Sequence, residues 1–266
     1  MPAVARKGAR RMADIPPEVL RAISLGEMPT VNLVEFLAAD LNRLLPAVSA
    51  QIGLDPRHPA LREVTPRLPA LKPMQRHRAI AAGLLAAIDG DSAIEARLAG
   101  HVSDLARQWG ALMVGLRTGP GLASRLQQIR PFAADHHFGV REFAWMAVRD
   151  AVAAEVSTAL ALLQPWTAEA DSNLRRFASE VTRPRGVWCA HLESLKQAPE
   201  SGFALLHALR ADPSRYVQDS VANWLNDAAK SHPDWVRRLC AEWRAESHQP
   251  ATAYICKRAL RSLPAT

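Results

Sequence analysis

The sequence predicts an all-α protein, built as a right-handed stack of antiparallel helix pairs. Leu and Ala dominate the composition, only 13 of the 266 residues are glycine, and stretches with the alternation of a β-strand are almost absent. Apolar residues recur instead at i, i+3, i+4 and i+7, the spacing of an amphipathic helix. Because the connections between these stretches are short, successive helices are expected to pack as antiparallel neighbours.

Residues 1–13 are predicted to form a basic, disordered tail, and residues 14–266 a single repeat domain. The tail has no hydrophobic periodicity. It could contact phosphate groups, or it could simply add solubility. The remaining residues are numerous enough to bury a large apolar core.

The first half of the domain is predicted to consist of short helices. Pro16-Pro17 opens one that runs to about Glu27, and Asn32 caps a longer one that continues to Val48. The inward-facing residues of this longer helix are expected to be Leu33, Phe36, Leu37, Leu41 and Leu44.

Prolines from Pro56 to Pro73 indicate turns and short helices. Further helices are expected over 74–88 and, as one or two segments, over 92–117. The positions expected to interrupt the helices are Gly110, Gly115 and Gly119-Pro120-Gly121.

The second half has a clearer rhythm. Helices are expected to start near Val140, Leu174 and Val217, each followed by an apolar residue four positions on. Their offsets are typical of two-helix HEAT-type repeats, of which we expect about five to seven in a single α-solenoid. One helix of each pair would line a concave face, where residues distant in sequence lie side by side.

The charge balance leaves two interpretations open. Lys and Arg number 33 against 26 Asp and Glu, a net charge of +7, and most of the excess is Arg. Guanidinium groups bind phosphate oxygens in pairs, which favours a nucleic-acid partner. A preference for Arg over Lys is also typical of a high-GC genome.

Several classes of function are not supported. The chain has no apolar run near 18 residues and no signal-peptide core at its N-terminus. Cys189, Cys240 and Cys256 are too far apart for a zinc motif, and His136-His137 has no further ligand nearby. We therefore expect a cytoplasmic protein without a metal or cofactor.

The stretch from Ser214 to Val236 has two faces. Its core face is predicted to comprise Val217, Val221, Trp224, Leu225 and Ala228. A second, polar stripe comprises Ser220, Asn223, Asp227 and Lys230. Ser214 can cap the helix, and Pro233 forces a break before the next one.

Two earlier helices carry comparable stripes. The first comprises Glu142, Trp145 and Arg149, and the second Asn173, Arg176, Glu180 and Arg183. Pro184 should end the second helix at Arg183, which leaves Arg183 and Arg185 at a helix end and Trp188 just beyond it.

Taken singly, these residues have ordinary structural explanations. A Glu between two Arg is usually a solvated ion pair worth about 0.2–0.5 kcal/mol, and a single Trp is usually a core residue. The repetition of one carboxylate with Arg and Trp on three helices favours a functional site. Arg can hold phosphates, whereas Trp and carboxylates together suit a cationic, planar ligand.

These stretches resemble the DNA alkylation repair glycosylases built from HEAT-like repeats, and specifically the AlkC branch. The resemblance covers residues from about 14 to 262. It is carried by HFGVREFAWMAVRD (137–150), LRRFASEVTRPRGVW (174–188), SVANWLNDAAKSHPDWV (220–236) and an opening that begins IPPEVLRAISLGEMP (15–29).

The resemblance implies a monofunctional DNA glycosylase that removes positively charged N-alkylated bases. The branch is associated with 3-methylcytosine and 1-methyladenine, and in some accounts with 3-methyladenine, and is described as acting without full base flipping. The expected partner is double-stranded DNA containing such bases, bound by a monomer. Some members add a C-terminal immunoglobulin-like domain, which is not expected here because the sequence stops at Thr266.

The resemblance also implies roles for individual residues. Glu142 and Glu180 would stabilise an oxocarbenium-like sugar and position water, and Asp227 would assist. The residues implied in DNA binding are Arg176, Arg183, Arg185, Trp188, Trp224, Trp145 and Arg149.

Two other functions remain open on the sequence. A catalytically inert HEAT scaffold would bind protein or nucleic acid without chemistry. A DNA-structure binder would recognise branched or damaged DNA, although it would gain nothing from three carboxylates.

Overall fold

The computed structural model describes residues 6–186 and 188–264, and these residues confirm the predicted all-α class. They form α-helices and four short 3-10 helices, with no strand among them. The 3-10 helices are Met12–Asp14, Thr65–Ala70, Gln164–Ala168 and Pro199–Gly202. The α-helices are α1 (Pro17–Ser24), α2 (Leu33–Ala38), α3 (Leu41–Gln51), α4 (Pro59–Val64), α5 (Pro73–Ile88), α6 (Ser92–Ala99), α7 (Asp104–Leu116), α8 (Leu122–Ala133), α9 (Phe138–Ala154), α10 (Val156–Leu163), α11 (Ser172–Glu180), α12 (Glu193–Gln197), α13 (Phe203–Ala208), α14 (Arg215–Ala229), α15 (Pro233–Glu246) and α16 (Pro250–Ala259).

The chain divides into two compact units that interleave in sequence. Unit 1 comprises Met1–Thr118 and His137–Ala144, and unit 2 comprises Gly119–His136 and Trp145–Thr266. Helix α9 therefore contributes its first turns to unit 1 and the remainder to unit 2. The single domain predicted over 14–266 stays a prediction.

The core of unit 1 contains a buried histidine among aromatic rings. His77 stacks on Phe36 at 4.8 Å between ring centroids and meets Phe143 edge-on at 5.4 Å. Its Nδ1 accepts a hydrogen bond of 3.0 Å from the indole N–H of Trp109. Burial, with a smaller contribution from the charge of Arg76, lowers the pKa of His77 to about 3, so the ring is neutral at physiological pH.

A second buried polar group in unit 1 is centred on Asp104. Its carboxylate accepts hydrogen bonds from the backbone N–H of Thr30 at 2.8 Å, the hydroxyl of Thr30 at 2.9 Å and the amide of Gln108 at 3.0 Å. The Nε2 of His137 lies 2.7 Å from the carbonyl oxygen of Thr30. His137, one of the two adjacent histidines, thus serves the packing of unit 1.

The described part of the predicted tail is held in place. The guanidinium of Arg6 forms two hydrogen bonds with the carboxylate of Glu35, which is itself buried, and Asn32 Nδ2 donates to the carbonyl of Ala9 at 2.8 Å. A buried carboxylate requires a counter-charge, and Arg6 supplies it. Residues 1–5 lie outside the described residues.

Two predicted helix boundaries differ from the structure. The helix expected from Asn32 to Val48 is interrupted after Ala38, because the side chain of Asp40 accepts from Asn42 N and caps a new helix. The break leaves Leu33 and Leu37 exposed, whereas Phe36 and Leu44 are buried. Gly110 and Gly115 lie inside α7 rather than interrupting it.

Unit 2 is organised around α14. This helix packs against α11, α15 and α16, and its buried face includes Val217, Val221, Trp224 and Leu225, as predicted. The ring of Trp224 lies 6.4 Å from that of Trp235 between centroids. The packing leaves the polar stripe of α14 at the border between the core and the surface.

Two searches over the described residues were negative. No described helix combines the length and the hydrophobicity that crossing a membrane would require. No group of three or more His, Cys, Asp or Glu side chains among the described residues could hold a metal ion. The three cysteines are free thiols.

Candidate functional site

Two of the three predicted carboxylates, Glu180 and Asp227, lie in one polar cluster of unit 2. Glu180 is the last residue of α11, and Asp227 lies in the last turn of α14. Helix α11 is fixed in this position by its apolar residues Leu174 and Phe177 and by Asp171, which caps its start. Glu180 is 3% exposed and Asp227 5%, so neither is the solvated surface carboxylate that its sequence neighbours allow.

Arg183 joins the two carboxylates. Its Nη1 donates to Glu180 Oε1 at 2.6 Å, and its Nε and Nη2 lie 2.9 and 2.8 Å from Asp227 Oδ2. A planar guanidinium can span two carboxylates in this way because its donors point in fixed directions. Three residues predicted for the site, Glu180, Asp227 and Arg183, therefore lie together in the structure.

The second oxygen of Glu180 is held by α14 and by Arg176. Ser220 donates to Glu180 Oε2 at 2.6 Å, and Arg176 Nη2 lies 3.5 Å from the same oxygen. The guanidinium of Arg176 also stacks over the ring of Tyr216, 4.2 Å from its centroid. These contacts fix the carboxylate of Glu180 from two sides.

Glu180 is ionised despite its burial. Burial by itself raises the pKa of this carboxyl group, but the charges of Arg176 and Arg183 and the hydrogen bonds from Ser220 and Arg183 outweigh it, and the pKa lies below its ordinary value. The charge of Glu180 and that of Asp227 raise the pKa of Arg183, against the lowering effect of burial. The cluster thus holds a negative carboxylate at neutral pH.

Cations border the cluster toward the surface. Lys230 Nζ lies 3.4 Å from Asp227 Oδ1, and its side chain is 50% exposed. Arg185 donates to the backbone carbonyl of Asp227 at 3.2 Å and to the hydroxyl of Ser231 at 2.6 Å. The side chains around the two carboxylates therefore carry more positive than negative charge.

Arg149 fastens the segment that carries these arginines. Its side chain is buried and donates to the backbone carbonyls of Val181, Arg183 and Ala190. These carbonyls lie at both ends of residues 181–190, which we call the clamped segment. Arg149, predicted to contact DNA, is instead directed at the backbone of its own chain.

Gly186 allows the clamped segment to fold tightly. A side chain at this position would collide with Cys189 Sγ and would meet the guanidinium of Arg149 at 3.5 Å. A larger residue at this position would therefore require the side chain of Cys189 to move.

Trp188 stands out from the clamped segment. It is 54% exposed, and its φ of +65° lies in the left-handed region. That conformation costs a bulky residue about 1–3 kcal/mol and is found mostly at functional sites. An exposed aromatic ring held in this way is available to a ligand.

The other predicted site residues lie elsewhere. Trp224 and Trp145 are buried, and the indole N–H of Trp224 donates to Thr182 Oγ1 at 3.3 Å, so both contribute to the core. Glu142 is half-buried on the part of α9 that belongs to unit 1. Its grouping with Glu180 and Asp227 stays a prediction.

The sequence reasoning missed Ser179, Tyr216 and Arg261. Ser179 Oγ lies 2.6 Å from Ser220 Oγ, and Arg261 donates to Asn223 Oδ1 at 2.9 Å. Tyr216 falls one turn before Ser220 on α14, and that position was a usable signal, whereas Arg261 lies in the turn after α16 and had no such spacing. Ser179 is buried, and the sequence contained no signal that pointed to it.

The helix pairs and the bridged carboxylates define a helical-repeat protein with a charged site on α11 and α14. The chain belongs to the DNA alkylation repair enzyme family, whose model matches residues 129–263. It is 34% identical over 143 residues to the uncharacterized protein YhaZ of Bacillus subtilis strain 168, a match that covers 54% of this chain and 39% of YhaZ.

Solved structures confirm the predicted HEAT-like repeat fold. The alkylpurine DNA glycosylase AlkC of Pseudomonas fluorescens, bound to DNA with an abasic site analog, is 28% identical, with a TM-score of 0.65 over 96% of this chain and 65% of AlkC. AlkD2 of Streptococcus mutans is 19% identical, with a TM-score of 0.59 over 77% of this chain and all of AlkD2. The likeness to AlkD2 shows the fold alone. The chain thus spans less than two thirds of the length of both YhaZ and AlkC.

Proposed function

We propose that this protein is a DNA glycosylase that removes positively charged N-alkylated bases from double-stranded DNA. The observation that carries the proposal is the buried pair of Glu180 and Asp227, bridged by Arg183 beneath a cationic rim, with Glu180 held in its ionised form. The family model and the likeness to AlkC, an alkylpurine DNA glycosylase, support it. The proposed substrates are 3-methylcytosine, 1-methyladenine and 3-methyladenine.

The chemistry needs little beyond negative charge and water. An alkylated base that already carries a positive charge is a good leaving group, so no acid has to protonate it. As the glycosidic bond breaks, positive charge develops on the deoxyribose, and a nearby carboxylate stabilises it. The same carboxylate accepts a proton from the attacking water.

In this proposal the arginines change partners when DNA binds. Phosphate oxygens compete with carboxylates for guanidinium groups. Arg176 and Arg183 therefore turn toward the DNA backbone, which leaves Glu180 and Asp227 facing the sugar. Arg185 and Lys230 hold neighbouring phosphates. A role of Glu142 in the chemistry is proposed from the resemblance to the family alone.

Trp188 supports the distorted DNA in the proposed complex. Its exposed ring offers a flat apolar surface to the sugar or to an unstacked base, a contact worth about 1–3 kcal/mol for a stacked base. Trp145 and Trp224 act only by supporting α9 and α14. We propose that the protein works as a monomer in the cytoplasm.

The proposal is tested by base release. Duplexes that contain 3-methylcytosine, 1-methyladenine, 3-methyladenine or 7-methylguanine are incubated with protein and then treated with alkali to cleave abasic sites. We expect cleavage at one or more of these lesions. Glu180→Gln should reduce the single-turnover rate by about 100-fold or more, the usual contribution of such a group.

Glu193→Gln is the matched control. Glu193 is a carboxylate of unit 2 whose side chain is 63% exposed and pairs with Lys196, so its variant should keep the wild-type rate. Thermal unfolding of Glu180→Gln shows whether a lost rate reflects lost structure. Wild-type rates in Glu180→Gln would refute the catalytic role, and DNA binding without base release on any substrate would leave a binding scaffold.

A further inference from the structure

The polar stripe of α14 is bordered on two sides by arginines. On one side, Arg176 of α11 stacks over the ring of Tyr216. Arg183, which lies three residues after the end of α11, contacts Asp227. On the other side, α16 and the turn after it contribute Arg258 and Arg261. Helix α14 packs against both α11 and α16. Its polar stripe therefore lies between the arginines of the α11 side and those of the α16 side.

The contacts on the α16 side are specific. Arg258 Nε lies 3.4 Å from Asp219 Oδ1, and Arg261 donates to the side chain of Asn223 at 2.9 Å. Asp219 and Asn223 are four residues apart on α14, so the positions that the two arginines contact are spaced along the helix axis by about 6 Å. The spacing is within reach of successive phosphate groups on one strand.

Arg215 completes this row. It lies one turn before Asp219 on α14, stacks over the ring of Tyr254 and has a side chain that is 62% exposed. The hydroxyl of Tyr254 in turn donates to Asp219. We call Arg215, Arg258 and Arg261 the arginine edge.

The arginine edge has a surplus of positive charge. Asp219 is the carboxylate with which Arg215 and Arg258 form ion pairs, and the sequence contains no acidic residue after Glu246. Burial, together with the positive charges of Arg258 and Arg183, lowers the pKa of Arg261, although Asp227 acts in the opposite direction. Cations that crowd one another are relieved when an anion binds.

We propose that the arginine edge binds the phosphodiester backbone of DNA, so that one strand lies along α14 between this edge and Arg176 and Arg183. The inference rests on the proposed function only in naming DNA as the ligand. It assigns α16 to the DNA interface, and it places the sugar over Asp227 with phosphates on both sides. Each arginine forms charge-assisted hydrogen bonds with phosphate oxygens.

The salt dependence of binding tests the proposal. Affinity for an undamaged duplex and for the same duplex with one lesion is measured at several salt concentrations for Arg215→Ala, Arg258→Ala and Arg261→Ala. Each lost phosphate contact should reduce the slope of log affinity against log salt by about 0.9. We expect this reduction on both duplexes, because a phosphate contact is independent of the base.

Lys257→Ala is the matched control. Lys257 is an exposed cation next to Arg258 that is not one of the three residues of the arginine edge, and its removal changes the net charge equally. The proposal predicts no change of slope for this variant. An equal reduction of the slope in Lys257→Ala would mean that DNA binding depends on the net charge and not on specific phosphate contacts, and would overturn the proposal. An unchanged slope in all three arginine variants would also overturn it.

The outcomes separate this inference from the proposed function. Reduced slopes without base release on any substrate would retain the arginine edge and refute the glycosylase. Base release with unchanged slopes would retain the glycosylase and refute the role of the arginine edge. If Arg258→Ala or Arg261→Ala is poorly folded, Arg215→Ala provides the test by itself. The side chain of Arg215 is exposed and can be removed without disturbing the core.

Discussion

At the scale of single residues, His77 links the folding of unit 1 to pH. Its neutral ring is enclosed by Phe36, Phe143 and Trp109. In the unfolded chain the same imidazole titrates near its ordinary pKa of 6.5, whereas in the folded protein its pKa is about 3. Between these values the unfolded state binds a proton that the folded state does not.

We therefore expect stability to fall as the pH drops below about 6.5. The free energy of unfolding should decrease with a limiting slope of about 1.4 kcal/mol per pH unit for this one group. Urea denaturation at pH 7, 6 and 5 measures the slope, at values where carboxyl groups of ordinary pKa are mostly ionised. His77→Asn retains an acceptor for Trp109 and should lower the slope.

Some slope will remain in that variant, because burial and the charge of Arg107 lower the pKa of His101 as well. An unchanged slope in His77→Asn would show that His77 is protonated or accessible in the folded protein. A slope of opposite sign in the wild type would contradict the assignment outright.

Residue identity and spacing predicted some of the site but not its burial. The positions of Glu180, Arg183 and Asp227 followed from helical spacing, and the structure brings them together. Spacing alone could not show that Glu180 is buried, because a neighbouring helix, α14, covers it with Ser220. Arg149 fell on the same kind of polar stripe, yet the clamped segment encloses it.

At the scale of elements, the clamped segment depends on Arg149. One side chain satisfies three backbone carbonyls, and a buried carbonyl without a partner costs about 1–3 kcal/mol. The geometry of Arg183, Arg185 and Trp188 is therefore maintained from α9, although Arg149 itself does not reach the surface.

Arg149→Met should loosen this segment selectively. We expect faster amide hydrogen exchange in peptides covering 181–190, weaker DNA binding, and a loss of stability of about 1–3 kcal/mol for each buried carbonyl left without a partner. Arg149→Lys keeps the charge with fewer fixed donors and should recover part of both properties. Hydrogen exchange followed by mass spectrometry, with peptides of α15 as internal reference, provides the measurement.

A rise in exchange that is equal in α15 and in the clamped segment would mean general destabilisation. Unaltered exchange in 181–190 would show that Arg149 is dispensable for the segment. Either result would remove Arg149 from the residues that position the site.

Element boundaries were predictable where prolines fix them and less so elsewhere. Pro73, Pro233 and Pro250 each begin a helix, in accordance with the fixed φ of proline. The break after Ala38 was not predicted, because the apolar spacing continues through it. Only the capping by Asp40 reveals the break.

At the scale of the whole molecule, unit 1 is completed by residues that follow a part of unit 2 in sequence. Phe143 contributes to the ring cluster around His77, and His137 contacts the carbonyl of Thr30. Residues 119–136, which belong to unit 2, intervene.

A fragment of residues 1–118 should therefore be much less stable than one of residues 1–144. It lacks the ring of Phe143, whose loss from a core costs about 3–5 kcal/mol. Circular dichroism and thermal unfolding of the two fragments test this expectation. A cooperative transition at the same temperature in both would show that unit 1 folds without its second segment.

The interleaving of the two units also limits how such a gene can be rearranged. In arrays of helical repeats each repeat is a continuous stretch of chain that contacts only its neighbours, so a repeat can be inserted or removed as one stretch. Here a crossover between codons 118 and 119 would transmit unit 1 without His137 and Phe143, and the recipient would receive an incomplete core. The two units must therefore be inherited together. Substitutions in the part of α9 that belongs to unit 1 are expected to co-vary with substitutions in α5 and α7.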